Sequence, residues 1–474
     1  MSELIVILGA GPAGLACAYK ILQESGRKII ILDKAPIVGG AGGSFRWKGH
    51  ILDYGPHAFH TRGDEPEKLI RQLFQSEPGL LIEGRKQVHV YLKNKRFRYP
   101  LQVGEALLKF NPLLSLRIVM EFFLTSVFHA IVSIPIDNFE NWGRKRFGST
   151  LYQMSFGDYT EKVWKTKPNK ISEKFASEKI QGFGFINLLK RLLRIGGQVT
   201  EPYYQTWIYH KYGSGQLYEK LADEIRTLGG EILLDTQIKA VLTNGDRAVA
   251  VSIERGGEAR EIACSRLVSS IALPQLVSLF GSGLPFTVRH AASKLCYTSL
   301  ILVYVEFSQE RVSDDHWFYL LEKKFIFNRV TEQKNLSEHT AEPGKTVLMF
   351  ELTCRVGDQY WRMSDEDLFQ LAKRDCEGIH FIRTDLISDY FVKRVSNVYE
   401  IYNKNFDQHA EMVLAYLNEF QNVVSIGRRG LFLQGDMHQA VEMGLGMGAI
   451  LSQGNVDASA IERFYRKYVR YLDS

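Results

Sequence analysis

Three glycines and one carboxylate near the start of the chain have the types and spacing needed to hold a diphosphate and a ribose. Gly9, Gly11 and Gly14 fit the pattern G-x-G-x-x-G, and Asp33 follows nineteen residues after Gly14. The first glycine permits a tight turn, the second lets the backbone approach a diphosphate, and the third lets a helix pack closely on a strand. A carboxylate at this spacing can accept hydrogen bonds from the ribose hydroxyls. These residues predict a dinucleotide site.

The flanking sequence has the elements that such a site needs. Leu4–Leu8 and Lys28–Leu32 are short apolar runs of strand length, and Leu15–Leu22 between them predicts a helix. Pro12 and Ala13 complete the glycine motif where the helix begins, and a helix N-terminus offers free N–H groups and a positive dipole end to phosphate. The order of strand, glycine turn, helix, strand and acid therefore predicts a nucleotide-binding βαβ unit.

Length and composition place the chain among ordinary globular proteins. At 474 residues it is too long for one core, so two or three domains are expected. The net charge of +6 comes from 59 basic and 53 acidic residues, which is mild for this length and does not indicate nucleic-acid binding. The excess fits either a solvated surface or an anionic cofactor with an anionic substrate.

Cysteine usage and the N-terminus predict a cytoplasmic protein. The five cysteines are scattered and form no C-x-x-C pair, so neither disulfides nor a zinc site is expected. The apolar N-terminus runs directly into the glycine turn, so no signal peptide is expected.

Residues Ile118–Ile136 form the one long apolar stretch. It contains Glu121 and His129 and reaches Pro135, so a membrane-spanning helix is not expected. We expect a helix packed inside a helical domain. The alternative is an interfacial helix that contacts a bilayer.

A second glycine cluster and a histidine pair follow the βαβ unit. Gly40, Ala41 and Gly42 lie a few residues past Asp33, where many glycines indicate backbone close to a ligand or a flexible loop. His57 and His60 are three residues apart; they could ligate a metal, although no third ligand is near in sequence, or they could lie against a flavin ring.

The glycine motif, the second glycine cluster and the segment Gly55–Thr61 (GPHAFHT) resemble the FAD-binding half of UDP-galactopyranose mutase. They also resemble the wider superfamily of protoporphyrinogen oxidase, phytoene desaturase and flavin amine oxidases. The resemblance implies that the dinucleotide is FAD. It also implies an α/β fold with a discontinuous, Rossmann-type FAD-binding domain, a helical insertion and an antiparallel-sheet substrate domain. The implied ranges are 1–100, 205–275 and 410–474 for the FAD domain, 101–204 for the helical region and 276–409 for the sheet domain.

The resemblance also implies which residues contact FAD. The backbone at Ile238 would lie near the adenine, Arg428 and Asp436 would support the cofactor, and the amides at Met437 and His438 would face the pyrimidine end of the ring. A helix N-terminus there would favour the negative charge of a reduced flavin. The full predicted set is Gly9, Gly11, Pro12, Ala13, Gly14, Asp33, Lys34, Gly40, Ala41, Gly42, His57, Ile238, Arg428, Asp436 and Met437.

The residues predicted to contact the substrate rest on a weaker resemblance. Tyr159 and Trp164 match a Y-T-x-K-x-W segment that lies near the substrate in the family, although ordinary helix packing would explain them equally well. Arg394 and Tyr399 fall in a segment that borders the substrate in oxidase-like members, and Gln434 precedes an acid-Met pair. These five residues are the predicted substrate contacts.

The residues that would bind a sugar diphosphate in the mutase are replaced. Two arginines and a tyrosine of the mutase fall on Thr298, Gly182 and Gln434, and none of these can replace an arginine fork that pairs with phosphate. The sequence therefore favours an FAD-dependent oxidoreductase that passes hydride between a small or lipid-like substrate and flavin N5, with an external electron donor or acceptor. His57 and His60 are the candidates for ring contact or proton transfer, because their pKa values lie near neutrality, or for structural hydrogen bonds.

Two other functions stay open. One is a nucleotide-sugar mutase in which Lys179, Arg191 or Arg329 replaces the missing arginines and reduced flavin acts as a nucleophile. The other is a non-catalytic FAD-binding partner in an assembly. A homodimer and peripheral membrane contact are also left open. No second G-x-G-x-x-G follows a strand, so a dedicated nicotinamide domain is not expected, and no metal is expected.

Overall fold

The computed structural model describes residues 4–61, 63–132, 136–175, 206–453 and 456–469. The chain divides into two compact units. The first unit consists of Met1–Gly84, Thr206–Cys296 and Phe406–Ser474. The second consists of Arg85–Gln205 and Tyr297–Asn405.

The strands and helices follow in chain order. The strands are β1 (Leu4–Leu8), β2 (Lys28–Leu32), β3 (Ser44–Trp47), β4 (His50–Asp53), β5 (Phe59–His60), β6 (Leu81–Arg85), β7 (Val88–Leu92), β8 (Lys95–Arg98), β9 (Thr206–His210), β10 (Glu231–Leu233), β11 (Thr236–Asn244), β12 (Arg247–Arg255), β13 (Glu258–Ala263), β14 (Arg266–Ser269), β15 (Tyr297–Phe307), β16 (Trp317–Leu320), β17 (Arg329–Glu332), β18 (Thr346–Cys354), β19 (Ile387–Glu400) and β20 (Val423–Ser425). The α-helices are α1 (Pro12–Ser25), α2 (Glu65–Leu73), α3 (Val103–Lys109), α4 (Pro112–Ile131), α5 (Phe139–Phe147), α6 (Ser149–Tyr152), α7 (Asp158–Trp164), α8 (Gly215–Thr227), α9 (Leu273–Leu279), α10 (Phe286–Lys294), α11 (Asp365–Glu377), α12 (Phe406–Leu417), α13 (Gly427–Gly430), α14 (Met437–Leu451) and α15 (Ala458–Tyr468).

The first unit is built on a parallel sheet in the order β10-β2-β1-β14-β20. Its strands are short, and β1 and β14 are almost wholly buried, as expected for a parallel sheet covered on both faces. The predicted β1, α1 and β2 are confirmed, with the helix beginning at Pro12. The Rossmann-type fold class is thus confirmed.

Helix α14 packs on α1 through small residues. A Cβ added at Gly444 would lie 2.3 Å from the carbonyl oxygen of Ala13, and one added at Gly448 would lie 2.9 Å from that of Cys17. Only glycine permits this approach of helix to helix. These two glycines hold the last helix close against the helix that follows the glycine turn.

The second unit is built on a seven-stranded sheet in the order β19-β15-β18-β17-β16-β7-β8. Its neighbouring strands are antiparallel except for β16 and β7, which are parallel. One face carries a buried apolar cluster in which Leu368, Ala372 and Cys376 of α11 pack on the strands. Because β7 and β8 join this sheet, residues 88–98 belong to the second unit, although the sequence assigns them to the FAD domain.

Two strands depart from what the local sequence indicates. Residues 325–330 have the composition of a strand, but β17 begins only at Arg329, because the amides of Ile326 and Phe327 donate to the carboxylate of Asp375 instead of to a neighbouring strand. Strand β13 was not predicted; it is mostly exposed and pairs with β12 at the edge of a small sheet.

The prediction that Ile118–Ile136 forms a packed helix is also wrong. Helix α4 spans Pro112–Ile131, and most of its large apolar side chains are exposed. Among the described residues it is the one helix with the length and composition to cross a membrane.

Candidate functional site

The glycine turn between β1 and α1 has space for a ligand at one position. Gly9 has φ +103°, and a Cβ there would lie 2.4 Å from Ser270 Oγ; a Cβ at Gly14 would lie 2.0 Å from the Gly9 carbonyl oxygen. The fold itself therefore requires these two glycines. At Gly11 φ is −84°, and an added Cβ would meet no atom within 4 Å. The absence of a side chain at Gly11 is not needed for packing, which fits backbone left bare for a diphosphate.

Asp33 orders the turn from the end of β2. Its carboxylate accepts hydrogen bonds from the backbone amides of Ala10, at 2.7 Å, and Ala35, at 2.8 Å. The amide of Gly9 also donates to the carbonyl of Leu32, at 2.8 Å. Each carboxylate oxygen can accept more than one hydrogen bond, so this arrangement leaves capacity for ribose hydroxyls. The neighbouring Lys34 is exposed.

The second glycine cluster lies beside the first. The amide of Gly39 donates to the carbonyl of Ala10 at 2.8 Å, and a Cβ at Gly40 would lie 3.4 Å from the Cα of Gly11. Gly42 lies against the ring of Tyr218, where a Cβ would come within 2.7 Å. The structure thus brings the Gly40, Ala41 and Gly42 turn to the predicted diphosphate position.

A buried carboxylate, not predicted from the sequence, holds this second turn. Asp53 accepts from Ser44 Oγ at 2.5 Å, Tyr209 Oη at 2.5 Å and the amide of Ser214. Ser214 in turn donates to the carbonyl of Gly42 at 2.8 Å. Burial raises the pKa of Asp53 to about 6, against the lowering effect of its hydrogen bonds.

The start of α14 lies in the same unit. Asp436 and Gln439 form a reciprocal capping box, and the hydroxyl of Tyr218 lies 3.4 Å from the Met437 sulfur. Tyr218 therefore links the second glycine turn to the predicted flavin-facing helix terminus. Arg428 lies in α13, just before this terminus, and its carbonyl accepts from the amide of Leu433 at 2.8 Å.

The two histidines lie near this helix terminus. His57 and His60 are half-buried, and His60 stands in β5 opposite Trp207 of β9. Between them, Phe59 makes an edge contact with His438 of α14, with ring centroids 6.3 Å apart. Ile238, predicted near the adenine, is a half-buried residue of β11 beside a bulge. Its cofactor contact stays a prediction.

The predicted substrate residues divide between the units. Gln434 is half-buried in the first unit, whereas Tyr159, Trp164, Arg394 and Tyr399 belong to the second. Trp164 makes an edge contact with Tyr399 at 6.0 Å. The guanidinium of Arg394 donates to two backbone carbonyls and the carboxylate of Asp365. These bonds give Arg394 a structural task, and its substrate contact stays a prediction.

Tyr159 belongs to an aromatic group around an ion pair that the sequence did not predict. Its ring makes an edge contact with Tyr319 at 6.1 Å, and Tyr319 lies over the guanidinium of Arg329 at 6.0 Å. Arg329 forms two hydrogen bonds with Glu351, of 2.6 Å and 2.7 Å. Desolvation raises the pKa of Tyr159 well above its ordinary value.

Lys162, within the Y-T-x-K-x-W segment, is a further residue that sequence reasoning passed over. Its ammonium donates to the carbonyls of Leu320, at 2.8 Å, and Glu322, at 3.3 Å. Burial lowers its pKa to about 7. Its place in the recognised segment could have singled it out, whereas Asp53 and Glu351 carry no such local pattern.

A cationic cleft of about 570 Å³ lies in the second unit. Its lining residues are mostly basic: Lys165, Thr166, Lys167, Lys170, Arg355, Asn403 and Lys404. Lys404 is paired with Asp137 at 2.9 Å. Of the mutase-like candidates, Lys179, Gly182 and Arg191 lie outside the described residues. Within the described ranges, no group of three or more His, Cys, Asp or Glu side chains could hold a metal ion.

Comparisons with known proteins agree with this geometry. Residues 12–445 match the model of the family described as flavin containing amine oxidoreductase. A 4,4'-diapophytoene desaturase (4,4'-diapolycopene-forming) from Methylomonas sp. is 26% identical over 292 residues, which are 54% of this chain and 52% of the desaturase. The match thus spans about half the length of that relative.

Solved structures share the fold over nearly the whole chain. A reduced UDP-galactopyranose mutase has a TM-score of 0.82 at 18% identity, covering 98% of each chain. A candidate protoporphyrinogen oxidase from Exiguobacterium sp. 255-15 has a TM-score of 0.71 at 18% identity, covering 95% of this chain and 99% of the other. At these identities the likeness establishes the fold alone.

The two glycine turns, the fold and the family match define an FAD-binding flavoprotein of the oxidoreductase class. The chain belongs to the flavin-containing amine oxidoreductase family, because that family's model matches most of its length. Its cofactor is FAD, as the sequence predicted, and the bare backbone at Gly11 fits the diphosphate of that cofactor.

Proposed function

We propose that this protein transfers hydride between a small or lipid-like, uncharged substrate and FAD. When bound, FAD supplies the redox chemistry at N5, and the protein supplies position and field. The desaturase relative, whose name describes a reaction on a polyene, supports a substrate of this kind. A cytoplasmic location, a homodimer and an external electron donor or acceptor remain predictions.

The proposal rests on the ion pair between Arg329 and Glu351. Of the three basic residues considered as phosphate ligands in place of the mutase arginines, Arg329 is the one within the described ranges. Its guanidinium is engaged on two bonds by the buried Glu351. An arginine already paired with a carboxylate has little affinity left for a phosphate. The aromatic rings of Tyr159 and Tyr319 beside it suit an uncharged substrate.

His57 and His60 are proposed to contact the flavin ring or to move a proton during the reaction. Near pH 7 an imidazole can accept a proton in its neutral form and donate one as the imidazolium, and a C–H or N–H oxidation can use either step. The contact between Phe59 and His438 holds their segment beside the start of α14, which supports this placement.

A nucleotide-sugar mutase is the second candidate function, and the cationic cleft is the observation that favours it. Lys165, Lys167, Lys170 and Arg355 line one cleft and could attract a phosphorylated ligand. Bound FAD would then have to be reduced before turnover, without net electron flow.

One experiment separates these functions. The FAD-loaded protein is mixed anaerobically with 4,4'-diapophytoene, protoporphyrinogen or putrescine, and separately, after dithionite reduction, with UDP-galactopyranose. We expect bleaching of the visible flavin absorption by the uncharged 4,4'-diapophytoene and no sugar isomerisation. Bleaching only by protoporphyrinogen, a dicarboxylate, or by putrescine, a diammonium ion, would contradict an uncharged substrate. Isomerisation by the reduced protein, with no bleaching by the others, would replace the proposal with the mutase. Firmly bound FAD with neither reaction would favour a non-catalytic FAD-binding partner.

A further inference from the structure

Helix α4 has the polarity of its two faces reversed relative to an ordinary surface helix. On the inner face, Glu121 accepts from the amide of Thr150 at 2.7 Å and from its Oγ at 2.8 Å. Ile118 beside it is buried. The acidic side chain of the helix therefore points toward the protein, where it holds the start of α6.

The outer face is apolar and exposed. Seven large side chains recur at the helical spacing of three or four residues, which places them on one side. Their exposed fractions run from 43% to 79%. They are Leu113, Leu116, Met120, Phe123, Leu124, Val127 and Ile131. Single exposed apolar residues are normal, but a continuous apolar face along a helix indicates a surface that binds something apolar.

The surrounding charge distinguishes between possible occupants. The chain segment that contains α4, residues 93–148, has nine Lys or Arg and four Asp or Glu, a net charge of +5. Arg96 in this segment is paired with Asp315 outside it, which leaves +4. A second copy of the chain would bring this charge against its like, which opposes association. A bilayer with anionic headgroups attracts it and also offers an apolar layer beneath the headgroups.

We propose that α4 docks this protein on an anionic lipid bilayer, lying in the plane of the interface with its outer face among the acyl chains. Its 20 residues give a length of about 30 Å. Glu121 and its ion-pair partner Arg117 stand within the helix, and Glu121 is tied to α6, so the helix lies along the surface instead of crossing it. This inference rests on α4 and its charge alone and does not depend on the proposed substrate.

The test is co-sedimentation of the FAD-loaded full chain with two kinds of vesicle. One contains equal parts phosphatidylcholine and phosphatidylglycerol, and the other contains phosphatidylcholine alone. We expect binding to the anionic vesicles that weakens as salt is added, and much weaker binding to the neutral ones.

Variants assign the binding to the helix. Leu116→Ser, Phe123→Ser and Leu124→Ser together remove apolar surface that is already exposed, so folding and FAD content should persist. The combined variant should lower the partition onto anionic vesicles by at least about tenfold. A matched control, Phe286→Ser, Val356→Ser and Met412→Ser, changes three exposed apolar residues elsewhere and should leave binding unchanged.

Hydrogen exchange on the unaltered protein gives an independent measurement. Vesicles should slow exchange in 112–131 and leave α15 unchanged. The proposal is overturned if the unaltered protein ignores anionic vesicles, or if the α4 variant binds as well as the control. It is also overturned if sedimentation velocity shows a dimer that the α4 variant abolishes, since a second copy would then cover this face.

Discussion

Arg329 and Glu351 stand opposite each other on the neighbouring strands β17 and β18 and form two hydrogen bonds of 2.6 Å and 2.7 Å. Glu351 is buried, so each charge depends on the other for the solvation that water would have given. The pair thus removes a cation from the set that could bind phosphate, and it makes the second unit sensitive to its loss.

Glu351→Gln should lower the free energy of unfolding by about 3 kcal/mol, because it leaves the guanidinium without its counter-charge. Urea denaturation measures the effect. The matched control is Glu462→Gln, which breaks an exposed pair with Arg466 and should cost less than about 1 kcal/mol. Equal losses in the two variants would contradict the role given to the pair.

Gly444→Ala should disturb the glycine turn at Gly9–Gly14 by displacing helix α1. Its new methyl would lie 2.3 Å from the carbonyl oxygen of Ala13, so the helices must separate, at about 1–3 kcal/mol. Gly446→Ala is the control, because its Cβ would make only ordinary contacts, at 3.5 Å from the ring of Phe464 and 3.8 Å from Tyr468 Oη. It should be neutral or stabilising in a helix interior. We expect weaker FAD retention by the first variant alone, and equal retention would count against this packing as a support of the site.

The buried Asp53 should make stability depend on pH in a defined interval. Burial raises its pKa to about 6 in the folded chain, whereas an unfolded aspartate titrates near pH ~4. The folded state therefore binds more protons between these values, so Asp53's contribution is greatest below about pH 4 and is lost as pH rises through about 6. The loss amounts to about 3 kcal/mol, at about 1.4 kcal/mol per pKa unit.

Asp53→Asn tests this dependence by urea unfolding at several pH values. The variant should flatten the decline in unfolding free energy between about pH 4 and pH 6. Asp223→Asn, at an exposed carboxylate on α8, should leave the decline as in the unaltered protein. If the unfolding free energy of Asp53→Asn declines as in the unaltered protein, titratable groups other than Asp53 cause the decline.

Replacing His57 or His60 by alanine should slow the reductive half-reaction if these side chains move a proton. We expect a loss of about 100-fold or more in rate at unchanged FAD content, measured by stopped-flow bleaching. His290→Ala, at an exposed position of α10, is the control. Full rates in both site variants would leave the histidines a structural task only.

The parts of the fold that could be predicted are those that local residue types dictate. The close approach of Gly14 to the Gly9 carbonyl oxygen and the hydrogen bond from the Ala10 amide to Asp33 both lie within one short stretch of the chain, so the local sequence pattern indicates this turn. The bounds of α11 also follow from local residue types, because Ser364 caps its start and the apolar spacing continues to Cys376.

What could not be predicted depends on distant partners. Asp53 is buried by Tyr209 and Ser214, more than 150 residues away, and nothing beside it in the sequence indicates this. The segment before Arg329 has the composition of a strand, but Asp375 takes its amides. The apolar spacing of α4 predicts an apolar face but not what covers that face. The sequence therefore places the helix in a buried core, whereas the structure leaves the face exposed.

FAD is expected to lie against the bare backbone of Gly11. The FAD affinity of the Gly11→Ala variant, measured by fluorescence titration of the apoprotein, tests this contact, with Gly79→Ala as the control for a methyl added in open space. We predict that Gly11→Ala keeps the unfolding free energy of the apoprotein within about 1 kcal/mol and weakens FAD binding about 10- to 100-fold, while Gly79→Ala changes neither. Unchanged FAD affinity in Gly11→Ala, or an unaltered protein that is colourless and takes up no FAD, would contradict the account.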